Sequence, residues 1–469
     1  MSPPPPSTNI SLTSDMKEIR FIELQKLFVD KFKCEPKYFV RVPGRVNLIG
    51  EHIDYCGYSV CPMAIQQDIL IAVCESNNFS ISLTNTDPNH KDFSCDIRTF
   101  SILEEGSSPP GWYSYVLCGV RGVLESLTSE NHIPVGFLAA VTGNIPLASG
   151  LSSSSALVCS AALATALVNK VQFTFDQLAV VCAQSERYIG TQGGGMDQAI
   201  AFLATAGSAK HIEFDPLRTT EIQLPSDAVF VIAHSLHSLN KAATSDFNQR
   251  VAECRLAGQI IAKKKGLTWR KINKLADLQV SLKLTLAEME DIVAETLHEH
   301  PYTKEEVCQA LEVTEQELEH SSLNPKVKHV KTFKLFQRAL HVFQEAGRVD
   351  KFCKICEEGD RSNALEQLGQ LMQASHQSLA KLYECSHPQL DQLIEVASKY
   401  ALGCRLTGAG WGGCTVSLAT KATAPALVDL LKEEFYLKNP MYKGQDLNTL
   451  VFITKPGSGC RIYDTEEMD

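Results

Sequence analysis

The stretch that most restricts how this chain folds lies between residues 135 and 167. Residues 135–141 form a continuous apolar run and read as a buried strand. Next comes Gly143-Asn144-Ile145-Pro146-Leu147-Ala148-Ser149-Gly150-Leu151, then four serines, Ser152 to Ser155. From Ala156 to about Leu167 the sequence is dominated by Leu, Ala and Val, as in a buried helix. A strand that enters a Gly/Ser loop and leaves it as a helix presents unpaired N–H groups and a favourable dipole to an anion. One serine suffices to cap a helix, so four serines behind two glycine positions point to phosphate binding. No GK[ST] occurs, so this is not a Walker A loop, and the protein-kinase strings HRD and DFG are also absent.

Two further segments carry chemistry. Pro43-Gly44-Arg45-Val46-Asn47-Leu48-Ile49-Gly50-Glu51-His52-Ile53-Asp54-Tyr55-Cys56-Gly57 packs Arg, Asn, Glu, His and Asp between apolar runs. Arg45 can steady a developing negative charge. Glu51, His52 and Asp54 can hold several hydroxyl groups, since an ionised carboxylate accepts several charge-assisted hydrogen bonds. A charged, solvated turn is the plain alternative. A helix over about 175–189 carries Glu186 and Arg187 and ends in Gly190-Thr191-Gln192-Gly193-Gly194-Gly195-Met196-Asp197-Gln198. Consecutive glycines let a backbone approach a ligand closely. Asp197 either caps the helix that follows or is a buried carboxylate that handles a substrate proton; the residues leave both open. Near the C-terminus, Arg405 to Val416 is glycine-dense and is expected to pack against a ligand or another backbone segment.

At 469 residues the chain has room for two or three domains. The formal net charge of -10, with no basic block beyond Lys263-Lys264-Lys265, argues against nucleic acid or an anionic membrane as partner. No run approaches the roughly 18 apolar residues of a membrane span. The start, Met1-Ser2-Pro3-Pro4-Pro5-Pro6-Ser7, has neither a basic nor an apolar region and reads as a disordered lead-in over 1–14 rather than a secretory signal. Sixteen scattered cysteines, several in apolar runs, are expected to be reduced thiols in a cytoplasmic protein. Cys353-Lys354-Ile355-Cys356 lacks the second pair that a zinc site needs. A helical, loop-rich stretch over about 267–325 reads as an inserted subdomain.

PGRVNLIGEHIDYCGY resembles the galactokinase signature of the galactokinase, homoserine kinase, mevalonate kinase and phosphomevalonate kinase superfamily. GLSSSSA resembles its phosphate loop, and LTGAGWGGC its third motif. The resemblance spans about Tyr38 to Ile453. Within the superfamily, SERYIGTQGGGMDQ, NKAATSDFNQRVAECRLA and the insertion look most like the N-acetylgalactosamine kinases, the second type of animal galactokinase.

The resemblance implies an α+β, two-lobed sugar kinase: a ribosomal-protein-S5-like N-terminal lobe over 15–225 and a ferredoxin-like C-terminal lobe over 226–469 that includes the helical insertion. It implies ATP-dependent phosphorylation of the C1 hydroxyl of N-acetylgalactosamine, with galactose as a second substrate. The alternatives are a galactokinase with galactose as main substrate, or a non-catalytic sugar and ATP sensor with a protein partner. By the same resemblance Arg45, Glu51, His52, Asp54 and Asp197 face the sugar, with Asp197 and Arg45 catalytic. Gly150, Ser152, Ser153, Asn240 and Lys241 lie along ATP, and Ser154 and Glu186 serve Mg²⁺. The spacing of eleven from Glu186 to Asp197 is similar to that in mevalonate kinases. Small molecules are the implied partners, and a monomer is expected. Two departures bear on the substrate: Phe247 stands where first-type galactokinases have a tyrosine, and Gly195 where they have a bulkier residue.

Overall fold

The computed structural model describes residues 19–103, 110–127, 133–146, 148–238, 244–359 and 362–465. The expected lead-in over 1–14, and Asn240 and Lys241, lie outside the described residues.

The chain opens with α1 (Ile19–Phe32) and enters β1 (Tyr38–Ile49). β1 pairs antiparallel with β2 (Cys61–Glu75), and β3 (Ser80–Asn85) and β4 (Phe93–Asp96) follow. Then come α2 (Trp112–Glu125), β5 (Phe137–Gly143), α3 (Ser153–Val168), α4 (Phe175–Ser185) and α5 (Met196–Leu203). A hairpin, β6 (Ala209–Glu213) with β7 (Arg218–Ile222), precedes β8 (Ala228–His234) and the long helix α6 (Asp246–Lys264). The insertion is built of α7 (Leu275–Leu282), α8 (Leu286–Thr296), α9 (Lys304–Leu311) and α10 (Glu315–Ser321). Thr285, Thr303 and Thr314 start three of these helices with reciprocal capping boxes, which satisfy otherwise orphan N–H groups. After α11 (Leu335–Glu357), α12 (Ala364–Ser378) and α13 (Pro388–Ala397) come β9 (Gly403–Thr407), β10 (Cys414–Thr420), α14 (Ala424–Leu431), β11 (Val451–Thr454) and β12 (Arg461–Asp464).

Two sheets organise the molecule. The first has strand order β12-β1-β2-β5-β3-β4, the second β9-β10-β8-β11. α2 and α3 share the main core with the first sheet, through Val116, Val120, Val158 and Ala162. α1 covers other residues of that sheet, with Phe21, Leu24 and Phe28 on Phe39, Leu70 and Ala140. β12 departs from the expected partition: it pairs with β1, so residues 461–464 belong to the first sheet although the second lobe was expected to run to the chain's end.

β1 is also longer than the sequence suggests. Pro43-Gly44 reads as a turn, yet the strand continues through it to Ile49, with a register shift between Pro43 and Arg45. Proline lacks an N–H and is tolerated in a sheet at such an irregularity. A Cβ on Gly44 would lie 2.7 Å from the Leu151 carbonyl oxygen. The bulge thus presses β1 against the Gly/Ser loop, and the Arg45 N–H donates to that same carbonyl (3.1 Å).

Candidate active site

Two cavities meet at a shared wall. The smaller, about 40 Å³, is lined by Arg45, Glu51, His52, Asp54, Gly193 to Asp197 and Phe247. The larger, about 380 Å³, is lined by Ser152, Ser153, Ser154, Gly150, Trp112 and the Gly410–Gly413 turn. Arg45, Glu186, Thr191 and Ala409 border both. The first holds room for only a few waters as it stands, so a larger guest must move a wall.

At the junction, Arg45 Nε donates to Asp197 Oδ1 (2.8 Å) and Nη1 donates to the Gly150 carbonyl. One guanidinium thereby ties β1 to the phosphate-type loop and to α5. Arg45 is only 2% exposed, and removing one partner of such a pair strands the other charge at about 3–5 kcal/mol. Asp197 is inside the first turn of α5; the N-cap is Gly195, in the left-handed region at φ +112°. The capping reading of Asp197 is therefore incorrect. Its carboxylate instead faces the cavity, and it gains from the helix dipole.

Ser155 Oγ donates to Glu186 Oε2 (2.7 Å) and reaches Asp197 Oδ2 at 3.4 Å. Gln198 Nε2 donates to Glu186 Oε2 as well. Ser154 Oγ is 3.4 Å from Glu186 Oε1 and borders the larger cavity. Ser155, which bridges the two carboxylates, was not singled out from the sequence, because four identical serines carry no mark of direction. Ser152 occupies the N-cap position of α3 at φ +63° but makes no capping bond, and its buried Oγ has no partner among the described residues. The helix-capping explanation for the serines thus fails at that position, whereas an anion would supply the missing partner. The loop is backed by the C-terminal glycines: a Cβ on Gly408 would lie 2.4 Å from the Gly150 carbonyl oxygen. The glycine-dense turn therefore meets another backbone segment, one of the two neighbours expected for it.

In the smaller cavity the charged residues are held by protein. Glu51 Oε2 accepts from Arg405 Nη2 and from the Gly408 N–H, both at 3.0 Å. Burial pushes the Glu51 carboxyl up, against the pull of the Arg405 and Arg45 charges. Asp54 Oδ2 accepts from the N–H groups of Gly194 (3.2 Å) and Met196 (3.4 Å), which fixes the glycine loop. His52 Nε2 lies 2.9 Å from the Ala409 carbonyl, so Nε2 carries the hydrogen and Nδ1 accepts from the Tyr55 hydroxyl (2.8 Å). Tyr383 then donates to Tyr55, and Cys254 to Tyr383. Both ring nitrogens of His52 are spent on protein, which corrects the expectation that the ring reads a hydroxyl directly. Phe247 packs on His52 and Tyr55 at ring-centroid distances of 5.6 and 5.4 Å.

A second set of residues holds this segment from behind. Glu345 on α11 accepts from the N–H groups of Gly50 (2.9 Å) and Glu51 (3.2 Å) and from Ser375 Oγ, while Arg348 Nε bonds its other oxygen (2.6 Å). One turn earlier, His341 Nε2 donates to the Glu51 carbonyl (3.1 Å). Burial opposes the Glu345 charge, but Arg348 and Arg405 hold its carboxyl at about 2. Burial lowers His341 to about 4. Neither residue was expected from the sequence; their spacing of one helical turn, placing both on one face, is the only local sign.

The described cysteines are free thiols, as expected. No helix among the described residues is long and apolar enough to cross a membrane. No group of three or more His, Cys, Asp or Glu among them suits a metal ion.

The galactokinase galactose-binding signature matches residues 26–75, and the GHMP kinase N- and C-terminal domains match 114–205 and 349–437. The chain is 37% identical to a galactokinase of Dictyostelium discoideum, over 95% of this chain and 94% of that one. It is 32% identical to a galactokinase of Saccharomyces cerevisiae, over 94% of each. The fold is similar to the crystal structure of Lactococcus lactis galactokinase complexed with galactose, with a TM-score of 0.71 at 22% identity, over 94% of this chain and 99% of that one. The chain belongs to the galactokinase family within the GHMP kinases and is a sugar 1-kinase. These relatives bear the name galactokinase and do not single out the N-acetylgalactosamine branch that the sequence motifs suggest.

Proposed function

We propose that the protein transfers the γ-phosphoryl group of ATP to the C1 hydroxyl of galactose. The observation that carries this reading is the junction: Arg45 and Glu186 border both cavities, and Asp197 is bonded to Arg45 at 2.8 Å. Phosphoryl transfer needs in-line positioning and charge stabilisation more than covalent chemistry. The Ser152–Ser154 loop and the N-terminus of α3 hold the triphosphate. Arg45 offsets charge that grows on the transferring group. Asp197 orients the sugar hydroxyl and takes its proton late, because a carboxylate is a weak base toward an alcohol.

Glu186 and Ser154 are the residues that would hold Mg²⁺. They are hard oxygen donors, and one carboxylate with one hydroxyl suits an ion that keeps several waters and phosphate oxygens. When bound, the ion neutralises charge on the β- and γ-phosphates.

The relatives favour galactose over the N-acetylgalactosamine read from the motifs. One observation keeps the acetamido sugar as a second reading. A Cβ on Gly193 would meet nothing within 4 Å, and one on Gly195 would meet only Ala183 at 3.4 Å and Phe214 at 3.7 Å. At each of these two positions the loop thus has room for one added carbon, and on this second reading a larger C2 substituent takes that room. Gly195→Ala is expected to reduce N-acetylgalactosamine turnover more than galactose turnover; equal losses would assign the effect to the strained φ alone. The reading as a whole is tested by phosphorus NMR of the product, with galactose 1-phosphate expected and a phosphate at any other hydroxyl overturning it.

A further inference from the structure

Behind the glycine loop lies a third cavity, of about 230 Å³. It shares Asp54, Tyr55, Gly193 and Gly194 with the sugar cavity but opens on a different side chain set: Arg187, Arg255 and Lys274. Three cations face one carboxylate, and the Oδ2 of that Asp54 is already bonded to two loop N–H groups. Lys274 is paired with Asp215. Among the described residues, Arg187 Nη2 reaches only the Gly193 carbonyl, at 3.4 Å, and Arg255 Nη1 only the Ser322 carbonyl, at 3.2 Å. The Arg255 Nε is buried and has no hydrogen-bond partner among the described residues. A buried guanidinium N–H without an acceptor is costly, and a planar guanidinium matches phosphate well. Burial and then the like charge of Arg187 hold the Arg255 guanidinium below its usual range. An anion would relieve both.

We propose that this cavity binds a small phosphate dianion on Arg187 and Arg255, at a site separate from the phosphate loop. The volume lies just below the roughly 300–1,000 Å³ typical of drug-sized ligands, which suits an ion or a small ester. Free phosphate and the phosphoryl group of a small ester share this chemistry.

The test is calorimetric titration of inorganic phosphate into the full-length enzyme saturated with a non-hydrolysable ATP analogue, which fills the phosphate loop. Ionic strength is held constant with chloride. Wild type is expected to take up a single phosphate, and Arg255→Gln and Arg187→Gln are each expected to weaken that uptake by about tenfold or more. Analogue affinity, measured in the same samples, is expected to stay at the wild-type value. Arg187 is exposed, so Arg187→Gln keeps the test decisive if Arg255→Gln does not fold. No phosphate uptake by wild type, or uptake unchanged in the variants, overturns the proposal. Glycerol 3-phosphate as a second probe separates the sources: tighter, arginine-dependent binding assigns an ester, and weaker or equal binding the free ion.

Discussion

The smaller cavity, which we propose for the sugar, and the larger cleft, which we propose for the nucleotide, share a wall but are held in shape by different means. Around the smaller cavity, side chains do the positioning: Arg405 on Glu51, Tyr55 on His52, Glu345 on the backbone of Gly50 and Glu51. Around the nucleotide cleft the backbone itself is the tool, with Gly150 stacked on Gly408 and the start of α3 facing the cleft. The difference fits the guests. A sugar is distinguished by the direction of each hydroxyl, and a site with fixed partners rejects an epimer because buried polar groups are left unpaired. A triphosphate needs dense positive potential, which N–H groups and a helix dipole supply without side-chain entropy.

Four measurements bear on that contrast, in order of decreasing effect. Asp197→Asn, beside the shared wall, is expected to cut kcat by about 10²-fold or more with ATP affinity kept. Near-normal kcat in the purified variant would remove Asp197 from the chemistry. Glu345→Gln takes charge from the buried clamp without changing its shape, and it should raise the sugar KM by about tenfold, which corresponds to roughly 1.4 kcal/mol. The ATP KM should stay within about twofold; parallel changes in both constants would mean that Glu345 serves the fold generally. Ser152→Ala is the mirror experiment, expected to raise the ATP KM by about threefold to tenfold while leaving the sugar KM alone.

The smallest effect is on pH. Burial holds His341, His376 and His234 at about 4, below their unfolded value of 6.5. Between those values the unfolded chain binds more protons, so stability rises with pH and is lost as pH falls from 6.5 through 4. Glu345, at about 2 against an unfolded 4.5, extends the loss as pH falls further. Melting temperature is therefore expected to drop steadily below pH 6.5, and His341→Gln is expected to flatten that slope in part.

Much of this was legible in the sequence. The apolar run at 135–141 overlaps the strand Phe137–Gly143, and the Leu/Ala/Val run after Ser155 is the helix that follows the phosphate-type loop. What escaped depends on tertiary contact. Pro43-Gly44 carries a turn's composition but is a bulge, because the Leu151 carbonyl fills the space where a Cβ would be. His52 has the chemistry of a sugar ligand, yet its partners come from the same segment and from residue 409 far along the chain. Glu345 and His341 lie on a helix of ordinary amphipathic composition, and only the fold shows which polar side chains are turned inward. The last strand, β12, crosses back to the first sheet, a choice set by the free edge of β1 rather than by local pattern.

We propose that one junction, Arg45, Glu186 and Asp197, joins a galactose-type site to an ATP site. ADP release measured side by side with galactose, N-acetylgalactosamine, glucose and mevalonate tests it most directly. Asp197-dependent ADP release is expected with galactose, a lesser response with N-acetylgalactosamine, and none above background with glucose or mevalonate. Release with mevalonate, or no release with any sugar while galactose still binds, would contradict it.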